Sequence, residues 1–207
     1  MIDEDFQYFL HKFGPQIERR EAPPSSIERY RNRLPDRLLD YWLEFGWAGY
    51  AEGLFWVVNP QEYEGVLEEW LSGSIFEGKD NFHVIAMNAF GELYVWGELF
   101  GSCFSIASAE SYLVPRTNFV EPPRDLDFDI RCFFISRDRT CEDIYELFAE
   151  AHSRLGGLKF GEVYGFCLAP ILGGAIDASN LKITSAVEYL NFLAQLDGLG
   201  ILQLPEY

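Results

Sequence analysis

The chain has 207 residues, of which 48% are hydrophobic and 16% aromatic, and a net charge of −17. That is long enough to bury a substantial core and too apolar for a disordered chain. A field this negative repels nucleic acid and anionic lipid surfaces and speeds encounter with basic partners, although it also serves solubility by itself.

The elements can be taken in chain order. Phe6, Phe9, Leu10 and Phe13 recur at helical spacing, and Gly14-Pro15 stops that helix. Ser25 stands three residues before Glu28, a capping-box spacing that opens a short basic helix, IERYRNR. Pro35 suits the first turn of a helix carrying Leu38, Leu39, Trp42 and Leu43, closed by Gly46. GLFWVV is strand-like, and Asn59-Pro60 pairs a cap residue with an N1 proline. The helix that follows, QEYEGVLEEWL, places Tyr63, Val66, Leu67 and Trp70 on one face and Glu62, Glu64, Glu68 and Glu69 on the other. FHVIAM and ELYVWG, joined by NAFG, predict a hairpin, and SCFSIAS a third strand.

Charge changes along this first half. Lys12 to Arg37 holds seven of its eight basic residues, whereas Leu38 to Glu110 holds twelve acids and only Lys79.

SYLVPRTNFVEPPRD, rich in proline and polar residues, reads as a linker. In LDFDIRCFFI, Leu126, Phe128 and Ile130 alternate with Asp127, Asp129 and Arg131, which predicts a half-exposed strand. Thr140 with Asp143 predicts the cap of a helix whose apolar stripe is Ile144, Leu147, Phe148, Ala151 and Leu155, ended by Gly156-Gly157. VYGFCL reads as a strand, and a last helix starts at Ser185, with Glu188 as capping partner, and runs to Gly198. Helices followed by an antiparallel sheet make the fold α+β. The expected division is an N-terminal domain over 1–110 with helices packed on an antiparallel sheet, a linker over 111–130, and a smaller α+β domain over 131–207.

Several chemistries fail on spacing. GEVYGFCLAPILGG, Gly161 to Gly174, is followed by Ala175-Ile176 where a phosphate loop needs Lys and Ser or Thr, and it lacks the G-x-G-x-x-G spacing. It reads instead as a buried strand and a positive-φ turn. Asp125, Asp127 and Asp129 mimic the start of a calcium loop, but Ile130 and Ser136 stand where Gly and Glu are required. His11, His83 and His152 show no metal-ligand spacing, and no G-x-S-x-G is present. No cofactor, metal or catalytic residue is therefore expected. Cys103, Cys132, Cys141 and Cys167 form no C-x-x-C, no apolar run reaches membrane-spanning length, and MIDEDFQYFLHKF lacks a secretion-signal pattern. These features predict reduced thiols and a cytoplasmic location.

IERYRNRLPDRLLDYWLEFGWAGYAEGLFWVVNP (Ile27 to Pro60) and FHVIAMNAFGELYVWG (Phe82 to Gly97) resemble the GAD-like domain of bacterial type VI secretion immunity proteins. LKFGEVYGFCLAPILGGAIDASNLKITSAVEYLNFLAQL (Leu158 to Leu196) resembles the C-terminal domain of the same family. LP-x-x-L-x-x-Y-W…G is more weakly similar to the SUKH immunity superfamily. Glu188-Tyr189 and Cys167 to Pro170 depart from the family pattern. The resemblance implies a non-enzymatic protein that binds and neutralises a co-encoded secreted toxin, a DNase, by occlusion, with no direct nucleic-acid or membrane partner. It carries no catalytic residues over and leaves the oligomeric state open. A small-molecule-binding or regulatory module is the alternative reading, and an enzyme the third.

The expected toxin-binding residues are Glu62, Glu64, Glu68, Glu69, Glu77 and Asp80, on the exposed side of the Tyr63 helix and the loop after it. Like charges one turn apart repel by a few tenths of a kcal/mol, which a basic partner relieves. A plain solubility surface accounts for the same face. The loops around Gly161 to Gly174 are the second candidate surface.

Overall fold

A computed structural model describes residues 2–116, 125–143, 145–196 and 200–201. Ile144, Gly198 and the middle of the expected linker, 117–124, lie outside the described residues.

The fold is α+β. Three helices come early: α1 (Glu4–Phe13), α2 (Pro24–Tyr30) and α3 (Asp36–Phe45). Phe6, Phe9 and Phe13 are the buried stripe of α1, as their spacing predicts, and Asp3 caps it by accepting from Phe6 N at 2.9 Å. The α2 cap is Pro23, two residues ahead of the expected Ser25, and it makes no side-chain cap bond. Around these helices a meander forms in chain order: β1 (Ile17–Arg20), β2 (Trp47–Tyr50), β3 (Phe55–Val57), β4 (Phe82–Asn88), β5 (Leu93–Gly97), β6 (Gly101–Ala107) and β7 (Tyr112–Pro115), all antiparallel. The hairpin and third strand read from the sequence are β4, β5 and β6. Residues 112–115 of the expected linker are β7.

β5 is buried along its whole length and β4 nearly so, so the sheet is covered on both faces. On one face Phe55 meets Phe9, Phe13 and Phe133. Its neighbour Trp56 turns the other way and meets Phe160.

LDFDIRCFFI is a helix, α5 (Leu126–Ile135), and not the strand its alternation predicts. Asp125 caps it by accepting from Phe128 N at 3.0 Å. Ile130, Phe133 and Phe134, at helical spacing, form its buried side, and α5 packs on α1, α3 and β6. Its aspartates are engaged with backbone rather than facing water: Asp127 accepts from Arg37 N at 2.9 Å and Asp129 from Ser102 N at 2.8 Å. Phe134 sets its ring among Phe6, Phe9 and Tyr41.

The helix expected from Thr140 is two. α6 (Arg139–Glu142) is a single turn capped by Asp138, and α7 (Phe148–Leu155) ends at Gly156. Asp143 serves the second of them, accepting from Leu147 N at 2.9 Å and Phe148 N at 3.0 Å. β8 (Glu162–Phe166) and β9 (Leu181–Ser185) pair antiparallel, and Ser185 caps α8 (Ala186–Ala194) by accepting from Glu188 N, as predicted. Between β8 and β9, Gly173 adopts φ +84° and a Cβ on Gly174 would stand 1.8 Å from Leu168 O. The glycine pair thus permits a tight turn, as the sequence predicts. β10 (Gly200–Ile201) adds parallel to β7 at the sheet edge.

Candidate functional site

The acidic helix is positioned by its own apolar side. Asn59 Oδ1 accepts from Gln61 N at 3.2 Å and starts a 3-10 turn over Pro60–Tyr63 that runs into α4 (Glu64–Leu71). Tyr63, Val66, Leu67 and Trp70 are buried, and Leu71 with them. Each contributes about 2–3 kcal/mol over the exposed state, which turns Glu62, Glu64, Glu68 and Glu69 to solvent.

The six expected residues do not share one situation. Glu64 pairs with Arg29 at 2.7 Å, and Tyr30 OH reaches it at 3.4 Å. Glu62 lies 3.9 Å from Arg20. Both pairs are solvent-exposed, so water screens them and they contribute little to stability. Glu77 accepts from Gly73 N at 2.8 Å. Asp80 is an architectural residue: its Oδ2 accepts from Leu99 N and Phe100 N at 2.9 and 3.1 Å, which holds the turn between β5 and β6. Glu68 and Glu69 have no ion-pair partner among the described residues.

Beside α4 lies an open cleft of about 550 Å³. It brings together Glu64, Glu68, Glu77 and Asp80, while Glu62 and Glu69 lie outside its lining. Leu67, Leu71, Phe76 and Phe82 supply its apolar lining, and Arg29, Arg33, Ser72, Asn81 and His83 its remaining polar groups.

Sequence reasoning missed these polar groups. Behind them Glu98 accepts from Arg33 Nε at 2.7 Å and Asn81 Nδ2 at 3.2 Å, and lies 2.8 Å from His83 Nε2. Burial raises the Glu98 carboxyl, but the His83, Arg33 and Asn81 donors together outweigh it and hold its pKa below the ordinary value. Burial lowers the His83 pKa and outweighs the opposing pull of Glu98, so the imidazole is neutral at pH 7 and Nε2–H donates to the carboxylate. The basic run IERYRNR was visible in the sequence, but its arginines fold back across 35 and 65 residues onto Glu64 and Glu98. No local pattern carries that information.

With Glu64 and Glu98 matched by Arg29 and Arg33, the surplus negative charge of the region, among the described residues, sits on Glu68, Glu69, Glu77 and Asp80. Carboxylates over an apolar lining suit a lysine or arginine, whose methylene stem and cationic tip match both parts. Among the described residues no helix is long and apolar enough to cross a membrane, and no three His, Cys, Asp or Glu side chains group to hold a metal ion.

Residues 4–110 match the family described as GAD-like domain, and residues 127–197 match that described as T6SS immunity protein Tdi1, C-terminal. The crystal structure of Atu4351 from Agrobacterium tumefaciens is similar in fold, with a TM-score of 0.81 at 23% sequence identity, covering 93% of this chain and 89% of that one. No curated protein matches the sequence.

Proposed function

We propose that this chain, which belongs to the GAD-like domain family and carries a type VI secretion system immunity domain over residues 127–197, binds a basic toxin and occludes its working surface. The toxin is a DNase. Such an enzyme needs a cationic surface for its polyanionic substrate, and an acidic protein competes for that surface. The observation that carries the reading is the unmatched pair Glu68 and Glu69 on a helix whose other face is fixed in the core. Charge of this kind acts mainly on encounter, raising association rates and making them sensitive to salt.

The test is association kinetics with the neighbouring gene product. Glu68→Lys with Glu69→Lys should slow association about tenfold or more at low salt and flatten its salt dependence. An unchanged rate in a folded double variant removes α4 from the interface. The cleft supports a second reading, since its volume falls in the range of small-molecule sites. A metabolite that raises the melting temperature of the wild type, and not of Arg33→Ala, would favour that reading.

A further inference from the structure

The acidic helix is one flank of a larger surface. α4 packs against α8, α8 against the 3-10 turn Ser108–Glu110, and that turn against the 3-10 turn Pro170–Leu172. On the outer stripe of α8, between exposed Glu188 and Gln195, stands Phe192, 51% exposed. The segment after β8, which contains the second of these turns, exposes Leu168, Leu172 and Ile176 to nearly the same degree. Residues 163–176 carry no charge at all, in a chain with 24% charged residues.

This apolar loop is held in shape. Asn180 clamps it at both ends: its Nδ2 donates to Leu168 O at 2.9 Å and Ala175 O at 2.8 Å, and its Oδ1 accepts from Leu168 N at 3.2 Å. Gly173 N and Gly174 N donate to Pro170 O and Ala169 O at 2.8 and 3.1 Å. Large apolar side chains on a loop ordered in advance lose little freedom when covered, which favours tight binding. Acids frame them: Glu68 and Glu69 on α4, Glu188 on α8, Glu110 in the intervening turn and Asp177 after the loop, with Lys182 of β9 and Arg154 of α7, which donates to Ala178 O and Leu181 O, as the exceptions on this side among the described residues. An apolar centre within a charged rim is the anatomy of a protein interface.

We infer that Phe192 and Leu172 are the apolar anchors of the toxin interface, on the module of residues 127–197, while α4 supplies its steering rim. The inference rests on the function proposed above. The occupant is the basic toxin, through an apolar depression ringed by lysine and arginine, because charge complementarity with the acidic frame selects a cationic partner. Anchors and rim act on different rate constants: desolvated apolar contacts set dissociation, and exposed charges set association.

The experiment measures binding kinetics of the neighbouring gene product with Phe192→Ser, Leu172→Ser and Phe192→Trp, each checked for a wild-type melting temperature. Both serine variants should dissociate about tenfold faster or more, with association and its salt dependence unchanged, and Phe192→Trp should keep the wild-type rate. Unchanged dissociation in both serine variants, while the α4 charge reversal still slows association, overturns the anchors and leaves the toxin reading standing. A neighbouring gene product that does not bind the wild-type chain overturns both. A wild-type dimer in sedimentation that Phe192→Ser splits also overturns the inference, because a second copy then covers the patch.

Discussion

Replacing Phe134 by alanine tests whether residues 4–110 and 127–197 share one core. The ring is 1% exposed and sits 4.9 Å from Phe6, 5.3 Å from Phe9, 5.5 Å from Tyr41 and 5.1 Å from Phe133, centroid to centroid. Three of those partners belong to α1 and α3. Truncating a buried phenylalanine costs about 3–5 kcal/mol, from lost transfer energy and the cavity left behind. Edge-to-face aromatic pairs place this site toward the upper end. A chain of this size loses about 2–4 °C of melting temperature per kcal/mol, so Tm should fall by roughly 10 °C or more. All five tryptophans lie between Trp42 and Trp96, so tryptophan fluorescence reports unfolding of the first segment alone. In urea, the fluorescence midpoint of Phe134→Ala should fall together with that from circular dichroism, in a single transition. A fluorescence transition that stays at the wild-type midpoint while a separate one moves would refute the shared core.

Burial pushes the Glu142 carboxyl up to about 7 from near 4.5, against the pull of Arg137 and of the Tyr94 hydroxyl that donates to it at 2.5 Å. Between those values the folded chain keeps a proton that the unfolded chain has lost, so this group makes stability fall as pH rises from about 4.5 to 7. Glu142→Gln should therefore gain on the wild type by about 3 kcal/mol at most between pH 4.5 and 8, and parallel stability curves would contradict the burial argument. Asp80→Ala frees the Leu99 and Phe100 amides and should cost about 2 kcal/mol; an unchanged urea midpoint would mean the turn holds without it. Gly174→Ala forces its Cβ against Leu168 O, so proteolysis within 167–177 should speed up, and wild-type resistance would show that the turn can relax.

What was legible in the sequence is what neighbouring residues decide among themselves. The Phe6, Phe9, Phe13 stripe, the Asn59 and Ser185 caps, the β4–β5 hairpin and the buried face of α4 each follow from local spacing and local hydrogen bonds. LDFDIRCFFI shows the limit. Its apolar residues fit a period of two over the first half and a helical stripe over the second, and the aspartates that looked solvated find backbone amides at Arg37 and Ser102, 90 and 27 residues away. β1 and β2 were missed for a related reason, since IERR has no strand character until Trp47 to Tyr50 lies beside it. The expected site divides the same way. That the glutamates face solvent was set by Val66, Leu67 and Trp70 within the same helix. Which of them has an ion-pair partner was set by arginines 35 and more residues away, because an ion pair depends on distance in space and leaves no trace in local periodicity.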